Sequence, residues 1–402
     1  MTARIWRLGA VGALACGVCA IGGMLLGACA SDESGAVPGP EGPAVVPATD
    51  AATLDGSPDD ADAGPCTSDD CEYFPSTCAP DVLCLNGPFD PTNPDVGLDW
   101  RTRINVIRGR SASDVWAAGA IGAMAHFDGT AWTVSDVGTQ ETQRALWLRG
   151  SSEVALGSIE RIHARGLGAG TTDAAVSPGG WSLSEPALVP DDFGRLGSAS
   201  WSPPGSDVLW LSSETALWRL HLTPESQFEI LPGIPTPVCG SIPCNAILSI
   251  HSASAKTLWA VGEFGAALRI SDADGDSPTV TQLNSLTVLG LSGVWAASDT
   301  DVWAVGGSGT IRHYTGDPVQ WGVVADVPTT VNLNAVWGTS SSDVWVAGNA
   351  GVVLHYDGTT WSRVKIAGLG ARRPDLFAVW SPAPGHVWVG GYGVVLVLGG
   401  NP

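Results

Sequence analysis

Basic residues are scarce in this chain. Lys and Arg total 19 against 40 Asp and Glu, for a net charge of −21. An acidic excess of this size repels phosphate backbones and argues against nucleic acid as a partner. Phe (7) and Tyr (4) are also few, whereas Trp reaches 18. Residues 30–65 carry no aromatic side chain at all and are dominated by Ser, Asp, Gly, Ala and Pro. Such a segment cannot bury enough apolar surface to order itself. The glycine-rich turns, such as Gly306-Gly307-Ser308-Gly309, have no Lys-Ser/Thr behind them and no helix to follow. That sets aside a phosphate-binding loop. No convergent acid pair or nucleophile–base–acid group is readable, which weighs against catalysis.

What is present points to β structure. The 402 residues are 44% hydrophobic, enough for a large core, and include 52 Gly and 28 Pro. That abundance favours many turns over long helices.

The chain begins with an export pattern. Arg4 and Arg7 precede an apolar run from Leu8 to Leu26, which ends in Leu26-Gly27-Ala28-Cys29. A single membrane-spanning helix is the competing reading, but the glycine content and the ending favour a cleaved signal. Leu-Gly-Ala-Cys resembles the lipobox of bacterial lipoproteins. That resemblance implies a signal peptide over 1–28, cleavage before Cys29 and a diacylglyceryl group on its sulfur. Ala30, rather than Asp, follows the Cys, and by the sorting rule of such lipoproteins this implies the outer membrane or cell surface. Residues 29–65 then read as a disordered tether between lipid and folded domain.

Of nine cysteines, Cys16 and Cys19 leave with the signal and Cys29 takes lipid. Cys66, Cys71, Cys78, Cys84, Cys239 and Cys244 remain. An even count in an exported chain implies disulfides. The clustering predicts Cys239–Cys244 and two bridges among the other four, whose three connectivities stay open. A zinc site is a poorer fit, because the spacings depart from those of zinc knuckles. Residues 66–95 are expected to form a small disulfide-stapled segment.

From residue 96 to 402 a repeat takes over. Its clearest copy, 333–364, reads LNAVWGTSSSDVWVAGNAGVVLHYDGTTWSRV. The central Trp of Asp-Val-Trp recurs as Trp116, Trp210, Trp259, Trp303, Trp345 and Trp388, and a worn copy places Ala155 at the same point. The period suits four short strands per copy. The fold expected is all-β: a seven-bladed β-propeller of four-stranded antiparallel blades, with indole rings filling the wedges between sheets. The last copy lacks an outer Trp strand. Leu98-Asp99-Trp100-Arg101-Thr102 matches the missing piece, so Trp100 is expected to supply it and close the ring.

The pattern of Asp/Glu-Val-Trp, paired glycines, His-Tyr/Phe, Asp-Gly and a final Trp resembles the repeats of BNR-like propellers. It is similar in particular to those of the photosystem II assembly factor family. The resemblance implies the propeller fold and leaves function open. Asp357-Gly358-Thr359-Thr360-Trp361 and Asp128-Gly129-Thr130-Ala131-Trp132 resemble Asp-box turns but are shorter than the full form, which separates the chain from sialidases.

Candidate chemistry is sparse. His126, His313 and His355 share one repeat position, so they lie on different blades and read as packing rather than as a metal site. Asp272, Asp274 and Asp276 resemble the start of a calcium loop, but position twelve is Leu283. An acidic turn is the better fit, with calcium a weak candidate and no other cofactor implied. Trp147, Trp295, Trp337 and Trp380 lie eight residues before their anchors. Trp201 takes this place in the third copy, and Arg108 and His251 take it in two others. These seven residues either pack between blades or form an aromatic platform at one mouth of the ring. Among loop residues, Arg372, Arg373 and Tyr392 are candidate contacts. The expected function is a lipid-anchored binding or scaffolding platform for a protein or polysaccharide. The alternative is a propeller enzyme, glycoside-cleaving or quinone-dependent.

Overall fold

Each repeat forms strands because short β-branched and aromatic runs are separated by turns that few residues tolerate. In the clearest copy the strands are Leu333–Ser340, Asp343–Gly348, Val353–Tyr356 and Trp361–Arg363. They pair antiparallel in sequence order. The turn after the second strand puts Ala350 and Gly351 at positive φ, 53° and 67°. The same left-handed pair recurs at Ile121–Gly122, Phe264–Gly265 and Ser308–Gly309. That geometry explains the second glycine of each pair, while the first lies against a carbonyl that a Cβ would strike.

The computed structural model describes residues 71–90, 97–167, 175–186 and 188–400. Among them lie seven four-stranded sheets. Blades 1 to 6 span 104–134, 145–184, 196–234, 247–282, 291–323 and 333–363, and blade 7 is built on 376–398. The innermost strand of each blade packs on the innermost strands of both neighbours, blade 7 against blade 1 included, so the ring is closed. The expected signal peptide and tether, with Cys29 and Cys66, lie outside the described residues. No helix among the described residues is long and apolar enough to cross a membrane.

Closure differs from the expectation. The fourth strand of blade 7 is Leu83–Leu85, pairing as Leu83↔Leu398, Cys84↔Val397 and Leu85↔Leu396. Trp100 takes no part and is 51% exposed. The reason is reach. Trp100 stands only four residues before Ile104, where the innermost strand of blade 1 begins. Four residues span at most about 14 Å. Crossing a four-stranded sheet alone takes about 14 Å, three strand spacings, before the step to the next blade. Leu83–Leu85 has a link of adequate length, and Leu83 is fully buried there. Part of the segment 66–95 therefore belongs to the propeller itself.

The closing strand is held from several sides. Leu83 N–H donates to Lys365 O, and Ala367 N–H donates to Leu83 O. Cys84 is bonded to Cys78. Asn86 accepts the indole N–H of Trp132 from blade 1. Cys71 is also disulfide-bonded, and Cys239–Cys244 pairs as expected in the link between blades 3 and 4.

The abundance of Trp is explained by the wedges. Anchors Trp116, Trp210, Trp259 and Trp388 are at most 1% exposed. An outer-strand Trp of one blade meets the anchor of the preceding blade edge to face. The pairs are Trp181–Trp116, Trp321–Trp259, Trp361–Trp303 and Trp132–Trp388, with centroids 5.5 to 5.8 Å apart. Offset and T-shaped indoles bury large areas and lock the crossing geometry.

Candidate functional site

The repeat histidines are accounted for by packing. His126, His313 and His355 stack on Trp116, Trp303 and Trp345. Each ring's Nε2 lies 2.8 to 2.9 Å from the Asp of its own copy: Asp114, Asp301 or Asp343. Cross-strand register creates the unit, since each His sits directly opposite its Trp. Burial alone would raise the Asp343 carboxyl. Hydrogen bonds from Thr339, His355 and Trp345 outweigh it and hold its pKa below the usual carboxylate range.

The seven-residue ring divides into two groups. Trp147, Trp295 and Trp380 are buried between blades. The rings of Trp380 and Trp295 lie where Gly109 and Gly338 leave room, so a Cβ at either glycine would strike them. Trp147 follows a different register from the rest, pairing with Val154 rather than Ala155. The other four residues, Arg108, Trp201, His251 and Trp337, come from blades 1, 3, 4 and 6 and meet at the axis. The Arg108 guanidinium lies 4.9 Å from the Trp337 ring and 5.7 Å from that of Trp201. The His251 ring lies 3.9 Å from Trp201 and 5.2 Å from Trp337. Indole N–H groups fix the two tryptophans: Trp201 donates to Ser252 Oγ and Trp337 to Ser381 O.

This cluster separates two cavities. One, of about 740 Å³, lies toward the ends of the innermost strands and is lined by Trp147, Arg149, Trp201, Trp337 and Trp380 with Arg108. The other, of about 560 Å³, opens where those strands begin. Its lining includes Arg101, Arg103, Arg108 and Arg144, with His251, Trp337, Phe377 and Tyr392 and many small Ser, Gly and Ala residues. Among the described residues, no Asp or Glu lines this second mouth.

Three of the mouth arginines are held in distinct ways. Arg103 lies over the Phe377 ring at 3.7 Å, and its buried Nε has no hydrogen-bond partner. Arg101 pairs with Asp99. Among the described residues the Arg108 guanidinium makes one hydrogen bond, to the neighbouring Ile107 O. Burial lowers the Arg108 pKa to about 10, so it remains a cation at neutral pH. His251 accepts the Ala296 N–H at Nδ1. Burial first, and Arg108 second, push its pKa well below the ordinary histidine value. The ring is therefore neutral with its proton on Nε2.

No protein-family model matches the chain, and no curated protein matches it. Solved structures do. "YCF48 bound to D1 peptide" is 16% identical, covering 80% of this chain and 98% of that one, with a TM-score of 0.55. YCF48 from Cyanidioschyzon merolae is 15% identical over 75% and 96%, TM-score 0.56. The Neurospora crassa Pan2 WD40 domain is 10% identical over 80% and 96%, TM-score 0.56. At these identities the likeness is one of fold.

The remaining sequence candidates fall elsewhere. Arg372 donates to the Tyr392 and Gly393 carbonyls, and Arg373 lies 3.5 Å from the Phe74 ring. Both brace loops, while Tyr392 itself lines the arginine mouth. Asp272, Asp274 and Asp276 sit in the turn between Ala267–Ser271 and Thr279–Gln282. Among the described residues no group of three His, Cys, Asp or Glu is placed to hold a metal. Sequence reasoning missed Arg101, Arg103, Arg144 and Phe377. One signal could have found two of them: Arg103 and Arg144 each stand directly before the innermost strand of their blade, on consecutive blades.

Proposed function

We propose that this protein is a lipid-anchored envelope protein that captures an acidic, extended segment of a partner protein at its arginine-lined mouth. One observation carries the reading. In a chain of net charge −21, four arginines gather around one opening; among the described residues only Arg101 has a carboxylate partner, Asp99, and no carboxylate lines the opening. A local positive site on an acidic body steers and holds an acidic ligand while repelling the rest of the protein surface from it. Phe377, Tyr392 and Trp337 add flat apolar area at low cost in side-chain entropy. One fold neighbour, YCF48, is bound to a D1 peptide, which supports a peptide as the ligand class.

The reading is of a binder. The anchor at Cys29 puts the propeller on a tether at the membrane surface.

The test is binding of fluorescent acidic, neutral and basic decapeptides to the full-length protein in detergent. Acidic peptides should bind, with affinity falling as salt rises. Arg103→Glu with Arg144→Glu should remove that binding in a protein that circular dichroism shows to be folded at the assay temperature. Equal binding of all three peptides, or salt-independent binding, would exclude the reading. Anchoring is tested separately: Cys29→Ala should move the protein from membrane to soluble fractions.

A further inference from the structure

The mouth narrows onto a cation with no counter-charge among the described residues. Arg108 reaches the axis from blade 1, with Trp201 and Trp337 beside it. Among the described residues no carboxylate pairs with it, and its one hydrogen bond is to the adjacent carbonyl. A half-buried guanidinium without a counter-charge is costly, and folded proteins keep such groups chiefly where they act. Next to it stands a second donor. His251 uses Nδ1 to accept a backbone N–H, so its Nε2 carries the proton, and that buried atom has no hydrogen-bond partner among the described residues. Both residues line the same mouth. Two donors lining one mouth, the Arg108 guanidinium and the unpartnered Nε2–H of His251, with flat indoles beside them, match a planar anion that accepts through two oxygens.

We propose that Arg108 and His251 form the seat of a carboxylate at the propeller axis, supplied by the acidic segment captured at the mouth. The inference rests on that proposed function, but adds a particular contact to it. The rim arginines hold the segment by charge. Arg108 takes one carboxylate of the segment into the channel, with the His251 Nε2–H donating beside it. Arg108 lines both cavities but His251 lines only this one, so a group that meets both enters from the arginine mouth. A free carboxylate offers the same chemistry, and the test separates the two sources.

Succinate and an acidic decapeptide are titrated into the full-length protein in detergent at constant ionic strength, with chloride as the control. Trp fluorescence and the ¹⁵N signal of the His251 ring are followed. Succinate should shift the His251 Nε2 resonance and quench Trp fluorescence, and chloride should do neither. Arg108→Met keeps the apolar stem and should weaken the peptide by about ten- to hundredfold, as expected for loss of a charge-assisted hydrogen bond. Arg108→Lys should recover part of this. Peptide binding unchanged in a folded Arg108→Met protein overturns the axial seat and leaves the mouth reading standing. Succinate binding without peptide binding supports the seat but rejects the captured segment as its source. A His251 signal unmoved by either ligand in the unaltered protein overturns the seat without any variant.

Discussion

The imidazole of His313 lies flat on the indole of Trp303, with centroids 3.8 Å apart and planes 9° from parallel. The same ring pair is rebuilt in three blades, each time tied to the Asp that opens the Asp-Val-Trp element. The unit explains why Asp, Trp and His recur together without forming a metal site. It fixes the strand pair from within: the Asp begins the second strand, the Trp follows two residues on, and the His reaches back from the third. Replacing Trp303 with Ala should cost about 3–5 kcal/mol, by the cavity argument for large aromatic cores. Urea unfolding followed by circular dichroism would measure it. His313→Ala, which leaves the indole in place, should cost less.

Ring closure by Leu83–Leu85 makes a contrast of two substitutions. Leu83→Ala removes a fully buried side chain and should cost about 2–5 kcal/mol. Trp100→Ala alters a half-exposed ring and should change stability by no more than about 0.5 kcal/mol. Calorimetric melting of both variants checks the pair, and the reverse order would mean that the closing strand lies elsewhere.

The two classes of axial tryptophan should separate on mutation. Trp295 is buried between blades, whereas Trp337 is half-buried and faces both cavities. Trp295→Ala should lower the melting temperature strongly. Trp337→Phe should melt near the parent and bind acidic peptide more weakly. Paired melting curves and peptide titrations read both effects.

Acid should weaken the fold in two separable windows. His251 has a lowered pKa when folded, so below the ordinary histidine pKa of about 6.5 the unfolded chain binds a proton that the folded chain refuses. Its contribution is complete above that value and declines as pH falls toward the folded pKa. His163 is lowered too, by burial and then by Arg161, and acts in the same direction. Asp343 is held low by its hydrogen bonds, so its contribution is complete above about pH 4 and is lost on further acidification. Melting temperature measured from pH 7 to pH 5 should therefore fall. His251→Gln should flatten part of that slope and leave the drop below pH 4 unchanged.

The seven blades and their wedge-filling tryptophans were legible in the sequence because each repeat carries its own strand pattern and turns, and those are local. The Cys239–Cys244 bridge was readable for the same reason, lying five residues apart. The closing strand was not. Leu83–Cys84–Leu85 has no signature of the repeat, and its partner strand begins more than 300 residues later. The Trp of Leu98–Thr102 imitated the missing strand, but chain reach ruled it out.

By itself the sequence determined the strand periodicity, the number of blades, the position of each anchor Trp and the charge of the whole chain. Tertiary structure alone decided what met at the axis. Arg108, Trp201, His251 and Trp337 hold one repeat position in four blades, and a ring brings one position from different blades to a common centre. Whether such residues pack sideways or face the channel depends on register and on the glycines of neighbouring blades, which no single repeat encodes. The arginine mouth arose the same way: Arg101, Arg103 and Arg144 are ordinary residues along the chain, and curvature of the ring gathers them around one opening.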